Sequence, residues 1–263
     1  MSNILNPPER VIDNIQTASA RMSRVDEVLG EQRLQRFVQG ISRILTHIEP
    51  SADALCKAVE DKDTQVEIVI QLINAATELE TAWNVIRLGN IPASQRQGRV
   101  ASELVAVAVL MSLPASTLRS LPQKVPLACC LQDHPDKTVI DCYKPVAKDR
   151  NGLQVVEPLL MTTQFFASFL MVAETLLKIP KQTLEAIRDY RKQVQHPASH
   201  GTAELFSYHF EAFKGGAAGA VFDKRRVESY VFAADELSNI TRLLADILDW
   251  LTHYIANSKE SAG

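Results

Sequence analysis

From Val11 to Ile86 the apolar residues recur at steps of three and four, the spacing that puts side chains on one face of an α-helix. Val11, Ile12, Ile15, Met22, Val25 and Leu29 define a first helix, entered through Pro7-Pro8 and ended by Gly30. Leu34, Phe37, Val38, Ile41, Ile44, Leu45 and Ile48 form a second stripe, stopped by Pro50. Ser51 is placed to cap a short helix carrying Leu55 and Val59. After the polar Asp61-Lys62-Asp63, a long helix follows with Val66, Val69, Ile70, Ile73, Ala76, Leu79, Trp83 and Ile86, closed by Gly89.

Ser94 to Leu113 reads as a further helix, although Val105 to Leu110 alternates well enough to suit a strand; the lack of a partner strand favours helix. Between residues 122 and 157 the pattern breaks down. Pro122, Pro126, Pro135, Pro145 and Asn151-Gly152 punctuate an irregular insertion in which Thr138 to Ile140 and Leu153 to Val156 are candidate strands of one hairpin. Pro158 to Ile179 carries apolar residues on most faces and is the expected centre of the core. Lys181 to His196 is a shorter amphipathic helix, Ala203 to Phe213 a further one, and Asp235 to Ala256 a strongly apolar last helix. The expected fold is all-α: one domain, a multi-helix bundle with N-terminal helices over 1–121, the irregular insertion over 122–157 and a helical core over 158–263.

Composition narrows the class. The 263 residues are 46 % hydrophobic and 22 % charged, enough to build a core without staples. A net charge of −3 lacks the basic balance of proteins that coat duplex DNA, so a nucleic-acid contact would be local or built by oligomerisation. Cys56, Cys129, Cys130 and Cys142 are too few and too irregular for a disulfide framework and read as buried thiols. Residues Met1 to Arg10 lack a basic region followed by an apolar run, so a cytoplasmic protein is expected. Leu159 to Ile179 has about the twenty residues of a membrane span, but Gln164, Glu174 and Lys178 favour a buried helix, and no membrane partner is expected.

Chemistry concentrates in one stretch, Asp189 to Gly201, where Arg191, His196 and His200 crowd a helix end. Pro197 disfavours an α conformation for His196 and so ends the helix there. An arginine followed four intervening residues later by histidine, on a late helix before a long last one, resembles the HEPN superfamily over about 100 residues, from Pro158 to Ala256. Lys192 stands where members often carry Asn, Asp or His. The resemblance implies metal-independent cleavage of RNA by a homodimer, as in toxin or anti-phage systems, without a cofactor. In that reading His196 takes the proton of a ribose 2′-hydroxyl, and Arg191 holds the charge developing on phosphate. Five helical steps of roughly 100° set the two about 140° apart, so Arg191's length or a second subunit must close the gap. Asp189 and Lys192, seven and four residues before His196, share its face; they could orient the imidazole and meet a phosphate, with Ser199 and His200 as further supporting residues.

Other motifs carry less. His196, His200 and His209 are separated by Pro197, and Cys129, Cys130, His134 and Cys142 match no common zinc spacing, so no metal is expected. Lys214 to Gly219 lacks the lysine and hydroxyl that close a P-loop, Asp223 to Arg226 reads as a solvated helix start, and Trp83 and Trp250 read as core. The rival to a ribonuclease is a non-catalytic helical interaction or scaffold module that binds a partner protein or RNA; its last helix would dock the protein, with Leu244 and Leu248 essential, and a protein partner or inhibitor is a further expectation.

Overall fold

Helix boundaries fall where the chain's own breakers stand. The computed structural model describes residues 22–49, 55, 59, 61–143, 147–148, 154–155, 159–160, 162–191 and 227–260. Helix α1, described over 22–29, ends at Gly30, whose φ of +72° suits a residue without Cβ. The Gly30 N–H donates to Asp26 O at 2.9 Å while its own carbonyl accepts from Arg33 N–H, so one residue closes α1 and opens α2, Glu31–Thr46. Helix α3, Lys62–Arg87, starts on Asp61, whose carboxylate accepts from Thr64 N–H at 2.8 Å. It ends in paired bonds from Gly89 N–H to Ile86 O and from Asn90 N–H to Val85 O, a Schellman cap with Gly89 at φ +81°. Asn90 then accepts from Ala93 N–H and starts α4, Ile91–Met111.

The chain divides into two units. Among described residues, one gathers 22–40, 78–99, 189–191 and 227–241. It buries Val25, Leu29, Phe37, Trp83, Tyr230 and Leu237, with the Phe37 and Trp83 rings stacked 4.7 Å apart. Asp26 receives Arg87 through two bonds of 2.7 Å, and Asp235 receives both Arg33 and Arg36.

The other unit gathers 41–77, 100–188 and 242–260 where described. It contains part of α4 together with short helices α5 (Ala115–Arg119), α6 (Pro126–Asp133) and α7 (Val139–Tyr143), followed by α8 (Thr162–Thr175) and most of α9 (Lys181–Asp189). The last helix, α10 (Val227–Glu260), contributes residues to both units. Every residue from Val105 to Met111 is buried, so this segment has no polar face; that is why its periodicity also suited a strand. Residues 105–111 of α4, rather than the expected Pro158–Ile179 helix, are buried all round. Helix α8 leaves Thr163, Gln164, Ala167 and Glu174 exposed.

Where described, the middle stretch forms short helices, turns and one antiparallel strand pair. Thr138 to Ile140, expected as a strand, instead starts α7: Thr138 N–H and hydroxyl both donate to Asp141, a capping box that fixes the helix start. The hairpin pairs β1, Ala147–Lys148, with β2, Gln154–Val155, antiparallel with Ala147 opposite Val155. Only its second strand was expected. Among the described residues the fold is all-α apart from this hairpin, and no helix is long and apolar enough to cross a membrane.

Nothing lies within 4 Å of a Cβ built on Gly30, so Gly30→Ala meets only the left-handed backbone penalty. Urea unfolding should show a loss of about 1–2 kcal/mol with an unchanged m-value.

Candidate functional site

Asp189 is exposed at the last residue of α9, and the helix widens to a π-type turn at Tyr190 and Arg191. Arg191 is only 9 % exposed and has interaction partners within the protein. Lys192, His196, Ser199 and His200 lie outside the described residues, as do His209, the Lys214–Gly219 stretch, Asp223 to Arg226 and residues 203–213, expected as a helix. The structure therefore describes one member of the motif, the enclosed Arg191, and one supporting residue, the exposed Asp189.

A second polar cluster, missed in the sequence, is fully described. Arg43 and His47 are four apart at the end of α2 and so share a face, as do Asp246, Asp249 and Thr252 on α10. Asp249 accepts from Arg43 through one oxygen and meets His47 Nε2 at 2.9 Å through the other. Asp246 accepts from Arg43 at 2.8 Å and from Arg242 at 2.9 Å. On its other side, His47 Nδ1 lies 3.2 Å from Thr252 Oγ1, which also lies 2.9 Å from Leu248 O.

The hydroxyl has one proton for two acceptors. Neutral His47 protonated on Nε2 donates to Asp249 and leaves Nδ1 to accept from Thr252. The imidazolium would donate from both nitrogens, turning the Thr252 proton to Leu248 O. Threonine, histidine and aspartate stand in the order of a nucleophile, base and orienting group. Here, however, the imidazole is buried and the hydroxyl is shared with the backbone. The arrangement serves as a polar tie between α2 and α10, with Arg43 held in its charged form by Asp249 and Asp246.

Exposed apolar residues make the clearest surface feature. Val66, Ile70 and Ile73 on α3 are 58 %, 41 % and 45 % exposed, and their spacing of four and three puts them in one line. Asn74 and Thr77 continue the face, and none of the exposed positions from Val66 to Thr77 is titratable. Trp250, expected in the core, is 42 % exposed, whereas Leu244 and Leu248, expected to dock a partner, are fully buried. Their removal would damage folding first, so they do not test docking.

A cavity of about 390 Å³ is lined by Val59, Met111, Leu113, Pro114, Val139 and Ile140 with Asp61, Thr64 and Thr138. Its polar groups are engaged in capping: Asp61 with Thr64, and Thr138 with Asp141. Among the described residues, no group of three or more His, Cys, Asp and Glu is arranged to hold a metal ion. No family model matches the chain, and neither a curated protein nor a solved structure does.

Burial is the largest influence on His47 and pushes its pKa below the ordinary 6.5, against the pull of Asp249. Below pH 6.5 the unfolded chain therefore takes up this proton before the folded one does. The stability His47 contributes is complete above that pH and is lost as the pH falls toward the folded value. Between about pH 7.5 and about pH 5.5 the urea midpoint should fall further in the wild type than in a His47→Gln variant.

Proposed function

We propose that this chain is a helical interaction module that assembles with a second copy of itself through α3. The observation that carries the reading is the line of Val66, Ile70 and Ile73, exposed on one face of a 26-residue helix. Burying such a line removes apolar surface from water at roughly 25 cal/mol per Å². A second copy suits this face because it brings an identical apolar line and no titratable side chain from the exposed positions between Val66 and Thr77. Two-fold pairing along Val66, Ile70 and Ile73 brings no exposed titratable side chain into that line, and the half-buried Glu67 beside it already accepts from Gln71 at 2.6 Å. A strongly charged partner would gain nothing there.

Ile70→Glu tests this directly, since the residue is already at the surface and the change should alter folding stability by no more than about 0.5 kcal/mol. Sedimentation equilibrium should give a dimer for the wild type and a dissociation constant raised at least about a hundredfold for the variant, because two carboxylates would enter the interface. A wild type that stays monomeric across the micromolar range would sink the proposal.

A second reading, the metal-independent ribonuclease implied by the HEPN resemblance, draws support from the π-type turn at Tyr190 and Arg191. Irregularities of this kind in α-helices are frequent at functional sites. RNA is the substrate class and the 2′-hydroxyl the nucleophile; His196 is the base, Arg191 the phosphate-binding cation, and Asp189, Lys192, Ser199 and His200 support them. On this reading the wild type cleaves RNA in EDTA and a folded His196→Ala variant does not. Absence of cleavage by the wild type across total RNA and tRNA would remove the reading and leave self-association untouched.

A further inference from the structure

Two thiols face each other inside the second unit. Cys130 on α6 and Cys142 on α7 lie with their sulfurs 3.0 Å apart, both buried and both reduced. The contact does not depend on a bond between them, because the surrounding backbone is fixed independently. Arg119 donates to Leu131 O, Pro135 O and Lys137 O, tying down the turn that joins the two helices. Gln132 returns two bonds to Arg119 O and Leu121 O. The Thr138–Asp141 capping box sets the start of α7, and Leu160 N–H donates to Cys142 O. At the other end of α6, Leu127 N–H is held by the Ser168 hydroxyl at 2.9 Å.

We propose that Cys130 and Cys142 are a dithiol/disulfide pair, closed by a small oxidant of the peroxide class. A disulfide requires a sulfur separation of about 2.05 Å, so the sulfurs need approach by only about 1 Å in a backbone already in place. In the first step the Cys130 sulfur, the less enclosed of the two, loses its proton and attacks one peroxide oxygen. The O–O bond breaks, Cys130 becomes a sulfenic acid and one water leaves. In the second, the Cys142 thiol, which burial holds protonated, passes its proton to the departing hydroxide as its sulfur attacks the Cys130 sulfur; the S–S bond forms as the S–O bond breaks and a second water departs. The two thiols give up two electrons and hydrogen peroxide is reduced to two waters. The product joins α6 to α7 around the turn held by Arg119.

Cys129 is the control within the same helix. It is partly exposed, and its thiol donates to Asp133 at 3.5 Å, away from the buried pair. If accessibility alone governed oxidation, Cys129 would react and the buried pair would not.

The test uses the full chain, purified reduced, exposed to hydrogen peroxide, alkylated and mapped by mass spectrometry without reduction. The expected result is a peptide joining Cys130 to Cys142, retained in Cys129→Ala and absent from Cys142→Ser. The wild-type melting temperature should rise by about 5 °C on oxidation and return with dithiothreitol. The wild-type map needs no variant to fold, so it decides alone if Cys142→Ser is unstable. Oxidation confined to Cys129, a disulfide through Cys129, or no modification of Cys130 and Cys142 would overturn the proposal.

Discussion

Residues 105–111 of α4 have no face to give to water, and the unit that contains them is arranged around that constraint. Val105, Val107, Val109 and Leu110 point in successive directions around the helix, and all are buried. A helix of this kind is stable only when other apolar faces cover it on every side, because each uncovered residue exposes apolar surface. Other elements of the unit keep a polar face, as α8 does with Thr163, Gln164 and Glu174. Within the same unit α6 packs on α5, α7 and α8, and the caps on α3 and α7 satisfy the backbone groups that these short connections would otherwise leave open.

Helix ends were legible because their causes are local. Gly30 and Gly89 take the left-handed conformations their residue type allows, and the stripes between them gave α2 and α3 nearly whole. Facing was less legible, since it depends on what lies opposite. Trp250 sits on an apolar stripe yet is partly open, while the alternating valines of α4 suited a strand only because every face is buried. The tie between His47 and Asp249 joins residues 202 apart in sequence, a pairing that no local spacing encodes. The first hairpin strand was misplaced because Thr138 reads as a β-former, while its hydroxyl and N–H bind Asp141 and start a helix. Of the expected site residues, the catalytic Arg191 and the supporting Asp189 fall within the described structure, and only Asp189 is exposed.

The surface and the interior suggest two separate devices. On α3 the apolar line is uncovered while the opposite face buries Ile68, Leu72 and Leu79, so the helix is apolar on two sides and has a low amphipathic contrast for its length. A helix used only for core packing has no need of a second apolar side; a helix used for assembly does. The Cys130–Cys142 pair is buried between α6 and α7, where the hydrogen bonds of Arg119 set its geometry, and α7 shares a cavity with the start of α3 through Val139 and Ile140.

The most direct measurement places a photo-crosslinking benzophenone side chain at position 70 of the full chain and maps the product after illumination. Self-association through α3 predicts a covalent dimer whose junction joins position 70 to residues between 62 and 77 of the second copy. A chain that stays monomeric under illumination at high concentration, or a dimer joined outside α3, would contradict the account.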